Sequence, residues 1–214
     1  MSIVNAAAEQ RVVFNNIHWE TYLVLAAEDD RPGKRICYDQ GVMEIMSPGM
    51  LHEHISALLG RMVSVFTEEN DIEACSSAGT TFKRDDVERG FEADESYYIA
   101  NEEAVRGKDE IDLSIDPPPD LAIEVDISRS SMSKFAIYRS IGVPELWRYD
   151  GNEILVYCLD ESGEYARCDA SRVLPNFPFV EAQGVLSRRH EESDTSLIKK
   201  FRDFVRSQNS SQDQ

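Results

Sequence analysis

The chain has 214 residues, 42% of them apolar, with 40 acidic against 22 basic side chains and a net charge of −18. That length suits one domain with a substantial core. An isoelectric point near 4.6 repels polyanions at long range, which excludes a nonspecific nucleic-acid coat but not an enzyme whose bound cations supply local positive charge. His18–Glu28 has helical periodicity, and a turn at Arg31–Lys34 follows it. The runs RICYD and VMEIM flank Gln40-Gly41 as a short hairpin. Ser47-Pro48-Gly49 then opens a long amphipathic helix whose Leu51, Ile55, Leu58, Leu59, Met62 and Phe66 form one stripe.

Two further strands are expected at Gly79–Lys83 and Asp94–Ile99, joined by a polar loop, Arg84–Ala93. The acidic segment Asn101–Asp116 reads as a solvated loop, and Pro117, Pro118 and Pro119 end regular structure before a central strand. In that strand Leu121, Ile123, Val125 and Ile127 point one way, and Asp120, Ala122, Glu124 and Asp126 the other. A helix from about Ser131 puts Lys134 on one stripe with Ile137, Tyr138 and Ile141. Glu145–Tyr149 and Glu153–Leu159 read as strands around Asp150-Gly151-Asn152. A last helix, Thr195–Val205, closes a single domain over residues 1–205, and the polar residues 206–214 are expected to be a disordered tail.

The segment MSIVNAAAEQ lacks a charged-then-apolar signal pattern, and no apolar run approaches a membrane span. Cys37, Cys75, Cys158 and Cys168 form no CxxC pair, so free thiols and a cytoplasmic location are expected.

Charged groups inside apolar elements need partners, because an unpaired buried charge is very costly. If the strand at Asp94 pairs beside Leu121–Ile127, Asp94 and Glu124 converge on one cation, since adjacent strands lie ~5 Å apart. Hard oxygen ligands of this kind suit Mg²⁺ or Mn²⁺, and Lys134 would stabilise charge developing at a phosphoryl group. The competing reading is a buried Glu124–Lys134 ion pair with Asp94 a strand-end residue. Periodicity alone leaves both open.

A set of residues then carries a resemblance: Tyr38-Asp39-Gln40-Gly41, Met46-Ser47-Pro48 with His52, Phe91-Glu92-Ala93-Asp94, Pro119-Asp120-Leu121 with Glu124-Val125, Lys134 with Tyr138, and Gly142-Val143-Pro144-Glu145 with Trp147. Over His18 to about Tyr157 the chain resembles the Uma-two family of endonucleases, within the PD-(D/E)xK, restriction-endonuclease-like superfamily. The resemblance implies an α/β fold with a mixed central β-sheet flanked by helices. It also implies metal-dependent hydrolysis of phosphodiesters in nucleic acid, DNA by expectation. By matched position Asp94 and Glu124 are the two acidic ligands. Ala93 stands where the superfamily has proline, and Asp126 where it has its lysine. In the family the lysine has moved into the next helix, which matches Lys134. Asp126 either adds a metal ligand or caps the following turn. His52 falls where related nucleases place an accessory polar group, whereas His54, about 200° away around the helix, reads as a capping or packing residue. Related nucleases cut two strands as pairs, so a homodimer is expected.

The alternative function is a catalytically silent binding or assembly module. A patch of Lys83, Arg84, Arg89, Lys108 and Arg129 beside the acidic cluster would favour the nuclease, and a negative rim the module.

Overall fold

The computed structural model describes residues 9–28, 33–127 and 133–212. In chain order its elements are β1 (Gln10–Phe14), α1 (Trp19–Ala26), β2 (Arg35–Asp39), β3 (Val42–Ser47), α2 (Met50–Glu69), β4 (Cys75–Ser76), β5 (Phe82–Arg84), β6 (Arg89–Phe91), β7 (Glu95–Tyr98), α3 (Glu102–Val105), β8 (Leu121–Val125), α4 (Phe135–Ile141), β9 (Glu145–Tyr149), β10 (Ile154–Leu159), β11 (Tyr165–Cys168), α5 (Phe179–Ser187) and α6 (Asp194–Gln212). The strands make two sheets. One is antiparallel, in the order β1-β3-β2-β6-β5; the other is mixed, in the order β11-β10-β9-β8-β7-β4, with β8 and β9 parallel.

Local chemistry explains the best-formed pieces. Gln40 and Gly41 both adopt positive φ, 44° and 98°, the combination that a two-residue turn needs to match the twist of β2 and β3. In α2 the apolar stripe Ile55, Leu58, Leu59, Met62 and Phe66 is buried against Leu121, Ile123 and Val125 of β8 and Leu197, Ile198 and Phe201 of α6. Each such side chain contributes ~1.5–3 kcal/mol when fully buried. Leu51, one turn earlier, stays outside this core at 41% exposure. The opposite face of β8 contributes Ala122 to a second cluster with Phe82, Phe91, Tyr98, Ile137, Tyr138 and Ile141. A third cluster packs Trp19 and Tyr22 of α1 on Ile36 and Tyr38 of β2. Burial on both faces thus makes β8 a central strand.

Several expectations are corrected. The segment Arg84–Ala93 is not a plain loop: a 3₁₀ turn, Asp85–Val87, leads into β6, which pairs with both β5 and β2. Gly90 makes this possible, because a Cβ there would fall 2.0 Å from the Tyr22 hydroxyl. The acidic loop contains α3, and Glu102 is buried with Arg106 as its partner. The tail does not leave regular structure at residue 206. Helix α6 runs on to Gln212, held by Arg206 Nε to Glu69 Oε2 at 2.7 Å and Asn209 Nδ2 to Glu69 O at 2.9 Å. Strands β1, β4 and β11 and helix α5 are additional to the expected elements. Arg31 and Pro32 of the expected turn, and the expected helix start at Ser131, lie outside the described residues, as do residues 213–214.

Candidate metal and phosphodiester site

Strands β7 and β8 are antiparallel with Glu95 opposite Ile123, so the next step of the register sets Asp94 opposite Glu124. Asp94 is 3% exposed, just before β7, and its Oδ2 accepts the Val125 N–H at 2.7 Å. Glu124 is also 3% exposed, and its Oε2 accepts from Lys134 Nζ at 2.6 Å. The Tyr138 hydroxyl donates to the other oxygen, Oε1. Lys134 sits at the N-cap of α4 rather than inside it. From there Lys134 and Tyr138, four residues apart, reach the same carboxylate.

The antiparallel sheet closes the site from the other side. Ile36 and Tyr38 face α1, which turns Arg35 and Cys37 the other way. Arg35 Nε lies 3.0 Å from Asp94 Oδ1, and its Nη1 lies 2.7 Å from Glu53 Oε1 in the first turn of α2. His52, fully buried in that turn, brings Nε2 to 3.1 Å from Asp94 Oδ2. These contacts are close but poorly directed. Among the described residues, Asp94 Oδ1 and both ring nitrogens of His52 lack a hydrogen-bond partner.

The charges settle accordingly. Burial pushes the Asp94 carboxyl up, but His52, Lys134 and Arg35 outweigh it and hold it below its ordinary value. Burial and the Asp94 charge keep Glu124 above its ordinary value despite Lys134. Burial pushes the Lys134 ammonium down, yet Cys37, Glu124 and Asp94 more than reverse this and keep it protonated. For His52 burial is likewise outweighed, by Asp94 and then Glu9, and its pKa is raised.

Asp126 is engaged by two arginines. Its Oδ2 takes Arg148 Nε at 2.6 Å, and Oδ1 lies 3.5 Å from Arg11 Nη2. Arg11 of β1 also donates to Glu44 Oε1 at 2.9 Å. His54 leaves the site altogether and pairs its Nε2 with Asp194 Oδ1 at 2.8 Å, joining α2 to α6. Of the basic residues expected in a patch, Arg84 and Arg89 are register partners across β5 and β6, and Arg84, Arg89 and Lys108 pair with Asp86, Asp39 and Asp116. Arg129 lies outside the described residues.

Among the described residues no group of three or more His, Cys, Asp and Glu is placed to hold a metal ion. A two-carboxylate site is a different matter, because Mg²⁺ usually keeps several waters and takes one or two carboxylates plus substrate phosphate. Asp94 Oδ1, a buried carboxylate oxygen without a hydrogen bond, is the donor such an ion requires, and Glu124 is its neighbour. The residues present therefore fit a hard divalent cation.

Sequence reasoning missed Arg35 and Tyr138, which contact Asp94 and Glu124, and the Arg11 that pairs with Asp126. The four-residue spacing from Lys134 could have found Tyr138. Nothing local could have found Arg35 or Arg11, whose partners are remote in sequence.

The Uma2 family model, described as "Putative restriction endonuclease", matches residues 19–188. That span contains His52, Asp94, Glu124 and Lys134 and leaves out β1 and α6. No curated protein matches the chain. Among the described residues no helix is long and apolar enough to cross a membrane.

Proposed function

This chain belongs to the Uma2 family and has a restriction-endonuclease-like fold, and from that premise we propose a metal-dependent nuclease that hydrolyses phosphodiesters in nucleic acid, DNA by expectation. Asp94 and Glu124 would hold one Mg²⁺ or Mn²⁺. The observation that carries the reading is the pair of buried acids, one with an oxygen that no hydrogen bond uses, beside a lysine held protonated. When bound, the ion supplies Lewis acidity at the scissile phosphate.

The chain's own residues supply the rest. The Val125 N–H aims Asp94, and the Tyr138 hydroxyl aims Glu124. Lys134 brings a fixed positive charge to where negative charge develops on the phosphoryl oxygens, in a site with little water to screen it. A cytoplasmic enzyme acting as a homodimer on two strands completes the reading.

The test is a Mn²⁺ titration by calorimetry, with a noncleavable oligonucleotide present, on wild type and Glu124→Ala. Binding by the wild type that the variant loses supports the site. Cleavage should also disappear in Lys134→Ala while the fold is retained, and full activity there would sink the role given to Lys134.

A second reading has its own support. The Glu124–Lys134 contact at 2.6 Å is a closed ion pair, and Arg84, Arg89 and Lys108, three of the residues that would grip phosphates, are bound to aspartates. A silent assembly module predicts no Mn²⁺ binding by the wild type, even with the oligonucleotide.

A further inference from the structure

The nuclease reading assigns no part to Arg35, yet this side chain occupies the position where cation and substrate would meet. It rises from β2 with Nε 3.0 Å from Asp94 Oδ1, the oxygen without a hydrogen bond. Its guanidinium is thus paired with Asp94 by charge and not by a directed bond, the weaker way to hold an arginine. The directed bond goes to Glu53, from Nη1 at 2.7 Å, and Glu53 is half exposed. Arg35 itself keeps 16% of its side chain accessible. It lines an open cleft of about 570 Å³ together with Lys34, Pro48, Glu53, Gly79 and Glu92. The Asp94 side chain is 1% exposed and does not line the cleft, and its contact with Arg35 connects it to a residue that does.

A divalent cation on Asp94 Oδ1 and the Arg35 guanidinium compete for the same oxygen, because both need it at close range and they repel each other. Once displaced, the guanidinium has the open cleft on its other side. There its planar fork is suited to two oxygens of a phosphate.

We propose that Arg35 is a two-position residue of this site. It covers Asp94 when no divalent cation is bound, and it turns to a substrate phosphate in the cleft when one is. The inference rests on the nuclease reading. It names the part of the ligand recognised, a backbone phosphate, and explains how a strongly acidic protein would grip one. Removing Arg35 therefore has opposite effects on the two ligands.

The experiment is calorimetry with Mn²⁺ alone, and then with a noncleavable oligonucleotide in saturating Ca²⁺, on wild type, Arg35→Gln and Lys34→Gln. Lys34 is exposed, lines the same cleft and reports the effect of removing one positive charge without uncovering Asp94. Arg35→Gln should bind Mn²⁺ about tenfold more tightly than wild type and bind the oligonucleotide about tenfold more weakly, each ~1.4 kcal/mol. Lys34→Gln should change Mn²⁺ affinity much less. If Arg35→Gln gains no more Mn²⁺ affinity than Lys34→Gln, or keeps full oligonucleotide affinity, the proposal is overturned while the metal site stands. If wild type binds no Mn²⁺ and no oligonucleotide in Ca²⁺, the nuclease reading fails and takes this one with it. Arg35→Lys keeps the charge but loses the fork, so it serves if the glutamine variant does not fold. It should retain wild-type Mn²⁺ affinity and still lose oligonucleotide affinity, and an unchanged oligonucleotide affinity would equally overturn the proposal.

Discussion

Two buried glutamates on neighbouring parallel strands, Glu145 of β9 and Glu124 of β8, are treated in opposite ways. Glu145, 1% exposed, accepts from Trp147 Nε1 at 2.6 Å, Arg172 N at 2.6 Å, Val173 N at 3.2 Å and the Ser171 hydroxyl, with the Cys158 thiol 3.7 Å away. These donors are neutral, and they fasten the segment after β11 to the start of β9. Glu124 instead faces an ammonium and a phenol, and the adjacent Asp94 has an oxygen that no hydrogen bond uses. A carboxylate saturated by the fold's own dipoles can do little but hold the fold together. Acids balanced by side-chain cations can exchange those partners for a ligand.

The largest effect that separates the two belongs to Glu145→Ala. Removing this acceptor strands several buried donors at once, and we expect a loss of ~3–5 kcal/mol in denaturant unfolding. A loss below ~1 kcal/mol would break the comparison, since Glu145 would then not be the anchor its bonds suggest.

Tyr138→Phe should have a smaller effect. It removes one donor to Glu124 while keeping the ring that packs on Phe91, with centroids 4.3 Å apart. The expected stability loss is ~1–2 kcal/mol, with weakened Mn²⁺ binding because Glu124 loses its orientation. Unchanged Mn²⁺ affinity at that stability loss would make Tyr138 a packing residue only.

The smallest effect compares one thiol from each region. Burial pushes the Cys37 thiol up to about 11 and the Cys158 thiol up to about 12. The thiolate is the reactive form, so at neutral pH both should resist alkylation, and their rates should rise only as the pH climbs toward those values. Mass spectrometry of briefly alkylated native protein should show label on Cys75 and Cys168 first. Early labelling of Cys37 but not of Cys158 would sharpen the contrast, by showing that the site opens more readily than the Glu145 anchor.

Much of the fold is legible in the amino-acid sequence. The stripe Ile55–Phe66 is long and regular enough to specify α2, and the alternation at 121–125 specifies a strand, whose burial on both sides the packing decides. Glu124 is legible as an inward charge because it lies within a buried strand, whereas Asp94 just before β7 and Lys134 at the N-cap of α4 are candidates whose burial the tertiary structure supplies. The failures share a cause. Strand β6 has three residues and exists through pairing with β2 and β5, so no local pattern announces it. Helix α6 extends past Val205 because Glu69, far away in sequence, holds Arg206 and Asn209. The polarity of that tail is the polarity of an exposed helix face, which composition does not distinguish from a solvated end.

What the sequence by itself determined is therefore the set of elements whose side chains repeat with a period, together with the charges those periods force inward. Both follow from interactions between near neighbours along the chain. What only the tertiary structure decided is which partner each inward charge meets. Arg35 on Asp94 links residues from two different sheets, Arg11 on Glu44 comes from a strand outside the family match, and His54 turns away to Asp194. Such pairings depend on loop closure and sheet register, where a shift of one residue turns every side chain to the other face. They exist only once the whole chain has closed.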